Sequence, residues 1–294
     1  MTGWLPVAPC TPDGCARHTG AVRAPLPAAL LLLSGCALVL LGVACIPLVR
    51  LLGAGPRRRL TRCWARAVPQ AFGVRVIVRP HLPDGAPDGV ELVVANHISW
   101  LDIPLVASVL PGRMVAKREI RCWPLLGPLA ARGGTLFIDR DRLRALPAAV
   151  RDIATTLRSG SRVVVFPEGS TWCGRGGGVF RPAVFQAAID AGATVRPVRI
   201  TYRTDPHGSG LAAGAVAFVG ADPLAASLWR VVRAAGLTAH VDVLAPIPAD
   251  GEDGRRALAR RARAAVLGPG DLLQARQTAV ASDRANRPAE SVHH

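Results

Sequence analysis

The chain has 294 residues, half of them hydrophobic and 19% charged, with a formal net charge of +16 carried by 35 Arg and one Lys. That length can bury a full core, with one medium-large domain plus extensions as the expectation. The cationic excess suits lipid headgroups, nucleotide phosphates or an acidic carrier protein, although a coding bias toward Arg gives the same excess; nucleic acid is disfavoured, because only 4% of residues are aromatic and no recognition motif occurs.

Residues 1–25 contain Pro6, Pro9, Pro12 and Pro25 and show no periodicity, so they read as a loose tail. From Ala24 to Val49 there are 26 consecutive uncharged residues. As a helix they span about 39 Å, enough to cross a hydrocarbon core of about 30 Å with tilt. A membrane helix is therefore expected over 26–52, with a buried or in-plane hairpin helix as the alternative. A signal peptide has a shorter apolar region and a charged start. The run continues for 13 residues past Cys36, which argues against a lipoprotein cleavage box. Arg50, Arg57, Arg58, Arg59, Arg62 and Arg66 follow the run, whereas only Arg17 and Arg23 precede it. The positive-inside rule then places the larger C-terminal part on the cytoplasmic side of the cell membrane. Cysteines 10, 15, 36, 45, 63, 122 and 173 fit no zinc template. They are expected to be free thiols in a reducing compartment, with no metal bound.

Residues 60–267 alternate between strand and helix patterns. Strands are expected over 74–78, 91–95, 113–116, 135–138, 163–166, 194–202, 215–219 and 239–244. Helices are expected over 99–110, 141–158, 182–191, 224–235 and 252–267. The helix over 141–158 has the clearest stripe, Leu143, Leu146, Val150, Ile153 and Leu157, with Gly160 placed as its C-cap. This alternation gives an α/β fold, a largely parallel mixed sheet flanked by helices. Residues 268–294 are polar and read as a disordered tail.

One stretch carries the chemistry. Val94 and Ala95 end an apolar strand, Asn96 and His97 follow, and Asp102 lies five residues beyond His97. Strand ends are where α/β proteins place catalytic groups. If Ser99 caps the next helix, the Asp102 carboxylate can fold back to His97 Nδ1 and leave Nε2 to take a proton. The competing reading is structural: Ser99-x-x-Asp102 is a capping box, and Asp102 then only caps. No partner nucleophile is evident, so a base that activates a substrate hydroxyl is the economical chemistry.

In these residues the chain resembles the glycerolipid acyltransferases typified by 1-acylglycerol-3-phosphate acyltransferase. Asn96, His97 and Asp102 match their NHxxxxD block; Gly134, Phe137 and Arg140 match Gly-x-x-Phe-x-x-Arg; Phe166, Pro167, Glu168, Gly169 and Ser170 match FPEG with Thr or Ser. Val195 to Val198 is similar to a fourth block, and all four keep the family's order. The resemblance spans about residues 60–267. It departs at Phe180-Arg181-Pro182-Ala183, where the family often has Phe-Lys-x-Gly. The resemblance implies transfer of an acyl group from acyl-CoA or acyl-carrier protein to a lysophospholipid hydroxyl, with no bound cofactor. Lysophosphatidate is the default acceptor; lyso-ornithine lipid is the alternative. His97 would be the base and Asp102 its orienter. Arg140 suits an acceptor phosphate, Glu168 a glycerol hydroxyl or an Arg, and Gly169 close substrate approach. Lys117, the sole lysine, suits a phosphate. A non-catalytic lipid-binding membrane protein and a thioesterase are the remaining readings.

Overall fold

The computed structural model describes residues 8–80, 90–123, 126–139, 142–204, 212–249 and 254–268. Its centre is a seven-stranded sheet made of β1 (Arg75–Pro80), β2 (Glu91–Ala95), β3 (Arg113–Lys117), β4 (Leu136–Ile138), β5 (Val163–Val165), β6 (Thr194–Arg203) and β7 (Thr238–Val243). The order is β1-β7-β6-β2-β5-β3-β4. From β6 to β4 all pairings are parallel; β7 runs antiparallel to β6, and β1 parallel to β7. The sheet is thus mixed and largely parallel, as the alternation of elements requires.

β2 lies at the centre and is buried along its whole length. Its side chains alternate between two cores, as a period of two demands. Val93 and Ala95 enter one core; Leu92 and Val94 enter the other. At its amino end, Glu91 is buried and accepts from Arg162 at 3.0 Å and Arg196 at 2.8 Å. That pairing ties β2 to β6 and to the approach to β5.

Helices pack on both faces. They are α1 (Pro12–Cys15), α2 (Pro25–Leu51), α3 (Ala54–Ala71), α4 (Asp102–Val109), α5 (Leu126–Arg132), α6 (Leu146–Arg158), α7 (Ala183–Ala191), α8 (Leu224–Arg233) and α9, over 254–268. In α6 the expected stripe buries Val150, Ile153 and Leu157. Pro147 falls in its first turn, where the missing N–H has no intrahelical partner to lose. The strand expected over 215–219 is instead a 3₁₀ turn at Gly214–Val216 followed by irregular chain. Its apolar residues are buried there, and burial alone produced the strand-like pattern.

Two further differences lie near the N-terminus. Residues 8–24 are not loose. Arg23 donates to Gly73 O at 3.0 Å and Val232 O at 2.9 Å, and Val22 bridges to Ala234. The Arg-rich segment after the apolar run is helical too. α3 folds back along α2 through the short turn Leu52–Gly53, so the pair is a helical hairpin. Gly35 and Gly42 of α2 let Phe72 and Trp64 approach its backbone, and Trp64 Nε1 donates to Leu38 O at 3.0 Å. The 269–294 tail and residues 1–7 lie outside the described residues.

Candidate active site

The path of the chain at the end of β2 sets the site. Asn96 does not continue the ladder with its backbone. Its side-chain amide does so instead: Nδ2 donates to Ile200 O at 2.9 Å, and Oδ1 accepts from Ile200 N at 2.8 Å. The main chain is therefore free to turn away, and it presents His97 at the carboxyl edge of the sheet. His97 N donates to Glu168 Oε2 at 2.8 Å, and its carbonyl accepts from Trp172 N at 2.7 Å. The imidazole stacks on Phe166, with centroids 4.2 Å apart and planes at 20°.

Asp102 is fully buried, and both its oxygens are engaged. Oδ2 lies 2.8 Å from His97 Nδ1 and accepts from Ile98 N at 2.6 Å and Ser99 N at 2.8 Å. Oδ1 accepts from the Tyr202 hydroxyl at 2.6 Å. Ser99 Oγ accepts from Leu101 N at 3.3 Å, so the turn leading into α4 has the Asp102–Ser99 half of a capping box, with the serine hydroxyl on the second amide and not the third. The dyad geometry is thus present together with half of the capping pattern. One carboxylate oxygen holds both the turn leading into α4 and the imidazole. With Nδ1–H given to Asp102, Nε2 carries the lone pair, and His97 lines a cleft. Burial pushes the Tyr202 hydroxyl well above its usual range, and the Asp102 charge adds to this, so Tyr202 stays a donor.

Glu168 is turned into the protein. Oε2 takes the His97 N–H and Oε1 takes Gly178 N–H at 2.8 Å. It therefore positions the chain at His97, and it also borders the cleft. Glycines make room for it and for Trp172: a Cβ at position 177 would come within 2.9 Å of Glu168 Oε1, and one at 178 within 2.6 Å of Trp172 Nε1. Burial raises the Glu168 carboxyl to about 8, against the pull of the two backbone N–H groups. The unfolded carboxyl keeps its ordinary value, 4.5. Between those values the folded state holds a proton that the unfolded state has released. This contribution to stability is full below about 4.5 and declines as pH rises through about 8. In pH-resolved denaturant melts Glu168→Gln is expected to flatten that decline; an unchanged slope would show that Glu168 does not cause it.

The other expected site residues are spread along the sheet edge. Phe166 touches the His97 ring, Pro167 O accepts from Arg181 N at 2.9 Å, and Gly169 makes the turn after Glu168 with φ +77°. Ser170 Oγ is buried with no hydrogen-bond partner among the described residues. Lys117 ends β3, exposed and at the same edge but two strands from β2. Phe137 is central in β4, with the Arg121 guanidinium 5.9 Å from its ring centroid. Gly134 is a correction. It precedes β4, at the opposite edge from His97, and caps α5. Its N–H bonds Ala131 O at 3.2 Å, and Thr135 N–H bonds Ala130 O at 3.1 Å. That pattern needs the left-handed φ of +77° seen there, so the glycine serves a helix end and not substrate. Arg140 lies outside the described residues. Asp139, which precedes it, pairs with Arg118 at 3.5 Å and Arg142 at 3.6 Å.

The structure adds residues that the motifs did not contain. Tyr202 is the one that touches the dyad. It is the only tyrosine in the chain, a signal of the kind noted for Lys117. Arg199 and Leu267 line the cleft beside His97. Arg199 donates to Ala265 O at 2.8 Å at the end of α9, and Arg263 of α9 donates to Gly178 O at 2.7 Å. α9 therefore braces the glycine loop that holds Glu168. Among 35 arginines these two gave no distinguishing signal.

The chain is similar to known proteins. Residues 77–201 fit the family model described as Acyltransferase. The chain is 39% identical to the lyso-ornithine lipid O-acyltransferase of Pseudomonas aeruginosa over 71% of its own length and 78% of that protein's. It is 42% identical to the 1-acyl-sn-glycerol-3-phosphate acyltransferase of Neisseria meningitidis over 58% of its own length and 66% of that protein's. In fold it is similar to the crystal structure of the 1-acyl-sn-glycerophosphate acyltransferase of Thermotoga maritima. The TM-score is 0.60 at 19% identity, over 90% of this chain and 99% of that one.

Proposed function

The chain belongs to the glycerolipid acyltransferase family, and from that premise we propose that it moves a fatty acyl group from acyl-CoA or acyl-carrier protein to the free hydroxyl of a lysolipid. The observation that carries the chemistry is the 2.8 Å contact between His97 Nδ1 and a fully buried Asp102. His97 Nε2 takes the proton of the lysolipid hydroxyl. The oxygen attacks the thioester carbonyl, the C–O bond forms, the C–S bond breaks, and the imidazolium returns the proton to the leaving thiolate. Asp102 holds the tautomer and stabilises the imidazolium while it exists.

The acceptor we favour is 1-acylglycerol-3-phosphate, giving phosphatidic acid. Its phosphate suits Lys117, at the carboxyl edge, and the guanidinium chemistry of Arg140. A second reading, acylation of a lyso-ornithine lipid, is favoured by the similarity to the P. aeruginosa protein, which covers more of both chains. Side-by-side incubation of the full chain with labelled acyl donor and each lysolipid tests both. One acceptor is expected to dominate, with label in the diacyl product. Release of free fatty acid without a lysolipid would instead indicate a thioesterase.

The membrane is where such acceptors reside. α2 is long and apolar enough to cross a bilayer, at 27 residues or about 40 Å. Yet both its ends meet the α/β domain. Ala28 is buried in the core near its start, and Arg50 near its end donates to Arg132 O of α5. A spanning helix has one end on the far side of the bilayer, out of reach of a domain that stays in water. We therefore favour the hairpin lying in one leaflet, with Leu26, Leu30, Leu33, Leu41 and Leu48 facing lipid. Arg57, Arg58, Arg59 and Arg62 would then lie at the anionic headgroups of the cytoplasmic face.

A further inference from the structure

The fold gathers three cysteines beside the cleft. Cys10 and Cys15 lie in the N-terminal segment around α1, and Cys173 lies in the loop after Glu168. Their sulfur atoms all lie within 4.8 Å of one another. Cys10 and Cys173 are buried and Cys15 is half-buried, in a small apolar cluster with Ala217, Val219 and Trp172. Every potential ligand there is sulfur. Three thiolates around Zn²⁺, at about 2.3 Å each, stand roughly 3.8 Å apart, so closing on an ion needs about 1 Å of side-chain movement at most.

We propose that Cys10, Cys15 and Cys173 form a binding site for a thiophilic d¹⁰ metal ion, Zn²⁺ or Cu⁺, which staples the N-terminal segment to the active-site loop. Soft thiolates select these ions. On binding, three S–H groups release their protons to solvent and three metal–sulfur bonds form, with no change of oxidation state. Zn²⁺ would complete its shell with water on the half-buried Cys15 side; Cu⁺ is complete with three sulfurs. The site adjoins the catalytic residues through the backbone. Trp172, next to Cys173, donates its N–H to His97 O, and a Cβ on Gly174 would meet Ile98 at 3.1 Å.

The test uses the full chain, reduced and purified under anaerobic conditions, and titrated separately with Zn²⁺ and with Cu⁺. One ion per chain is expected to survive desalting. It is expected to raise Tm by roughly 5–10 °C at a hundredfold excess over Kd and to slow tryptic cleavage after the exposed Arg17. The Cys63→Ser/Cys122→Ser double variant, which lacks the two exposed thiols, is expected to bind as before. Cys173→Ser is expected to lose the ion and the Tm shift; Cys15→Ser, at the half-buried position, provides the same reading should Cys173→Ser fold poorly. Retention of neither ion, equal retention by Cys15→Ser and Cys173→Ser, or a disulfide between any two of the three in the protein as isolated would overturn the proposal.

Discussion

His97→Ala is expected to lower acyl transfer by about 10²–10⁴-fold or more, the range for loss of a general base, while the protein remains folded. The substitution is clean because residue 97 is held by its backbone. Its N–H to Glu168 and its carbonyl to Trp172 are independent of the side chain. Asp102 keeps three other donors, Ile98 N–H, Ser99 N–H and the Tyr202 hydroxyl. The losses are one hydrogen bond to a carboxylate and the stacking on Phe166, together about 2–3 kcal/mol. A melt showing a cooperative transition, beside an assay showing near-zero labelled product, is the expected pair of results. Full activity in the folded variant would remove His97 from the chemistry.

Asp102→Asn is expected to cost about as much, again in the range of 10²–10⁴-fold, for a different reason. Asparagine occupies the same space. Its oxygen can still accept from Ile98 and Ser99, and its amide can turn to the Tyr202 oxygen. What disappears is the negative charge beside the imidazolium that forms when Nε2 takes the proton. The variant should therefore bind lysolipid nearly as well as the parent and fail in turnover, so that kcat falls and KM changes little. Alanine is a poorer probe. It would strand two backbone N–H groups and a tyrosine hydroxyl in a fully buried site, at about 1–3 kcal/mol each, and confuse folding with chemistry. Tyr202→Phe separates the two oxygens of Asp102, because it removes only the donor to Oδ1. A fall in kcat as large as that of Asp102→Asn would mean that orientation, and not charge, dominates.

The core of this site was legible because it is local. His97, Ser99 and Asp102 lie within six residues, so a helix-cap pattern and a strand end were enough to bring the dyad together. The central strands were legible for a related reason: β2 and β5 are short runs of apolar residues, bounded by turns, that can be buried on both faces. What could not be read was contact between distant segments. Tyr202 reaches Asp102 from 100 positions away, and Arg263 reaches the glycine loop from 85. No periodicity encodes such pairs. Gly134 shows the opposite failure. Its spacing within a motif suggested a substrate role, but the local hydrogen bonds make it a helix stop. α3 escaped notice because five exposed arginines overwhelmed its weaker apolar face, formed by Ala65, Val68 and Pro69.

The double duty of Asp102 Oδ2 links heat stability to catalysis. The same atom that receives Ser99 N–H in the turn leading into α4 also receives the imidazole. Fraying of that first turn cannot occur while the base stays oriented, because the oxygen leaves both partners together. Thermal inactivation of this protein should then begin below the global transition, at the temperature where one helical turn opens. Backbone amide exchange at Ile98 and Ser99 should report it as early as the assay does.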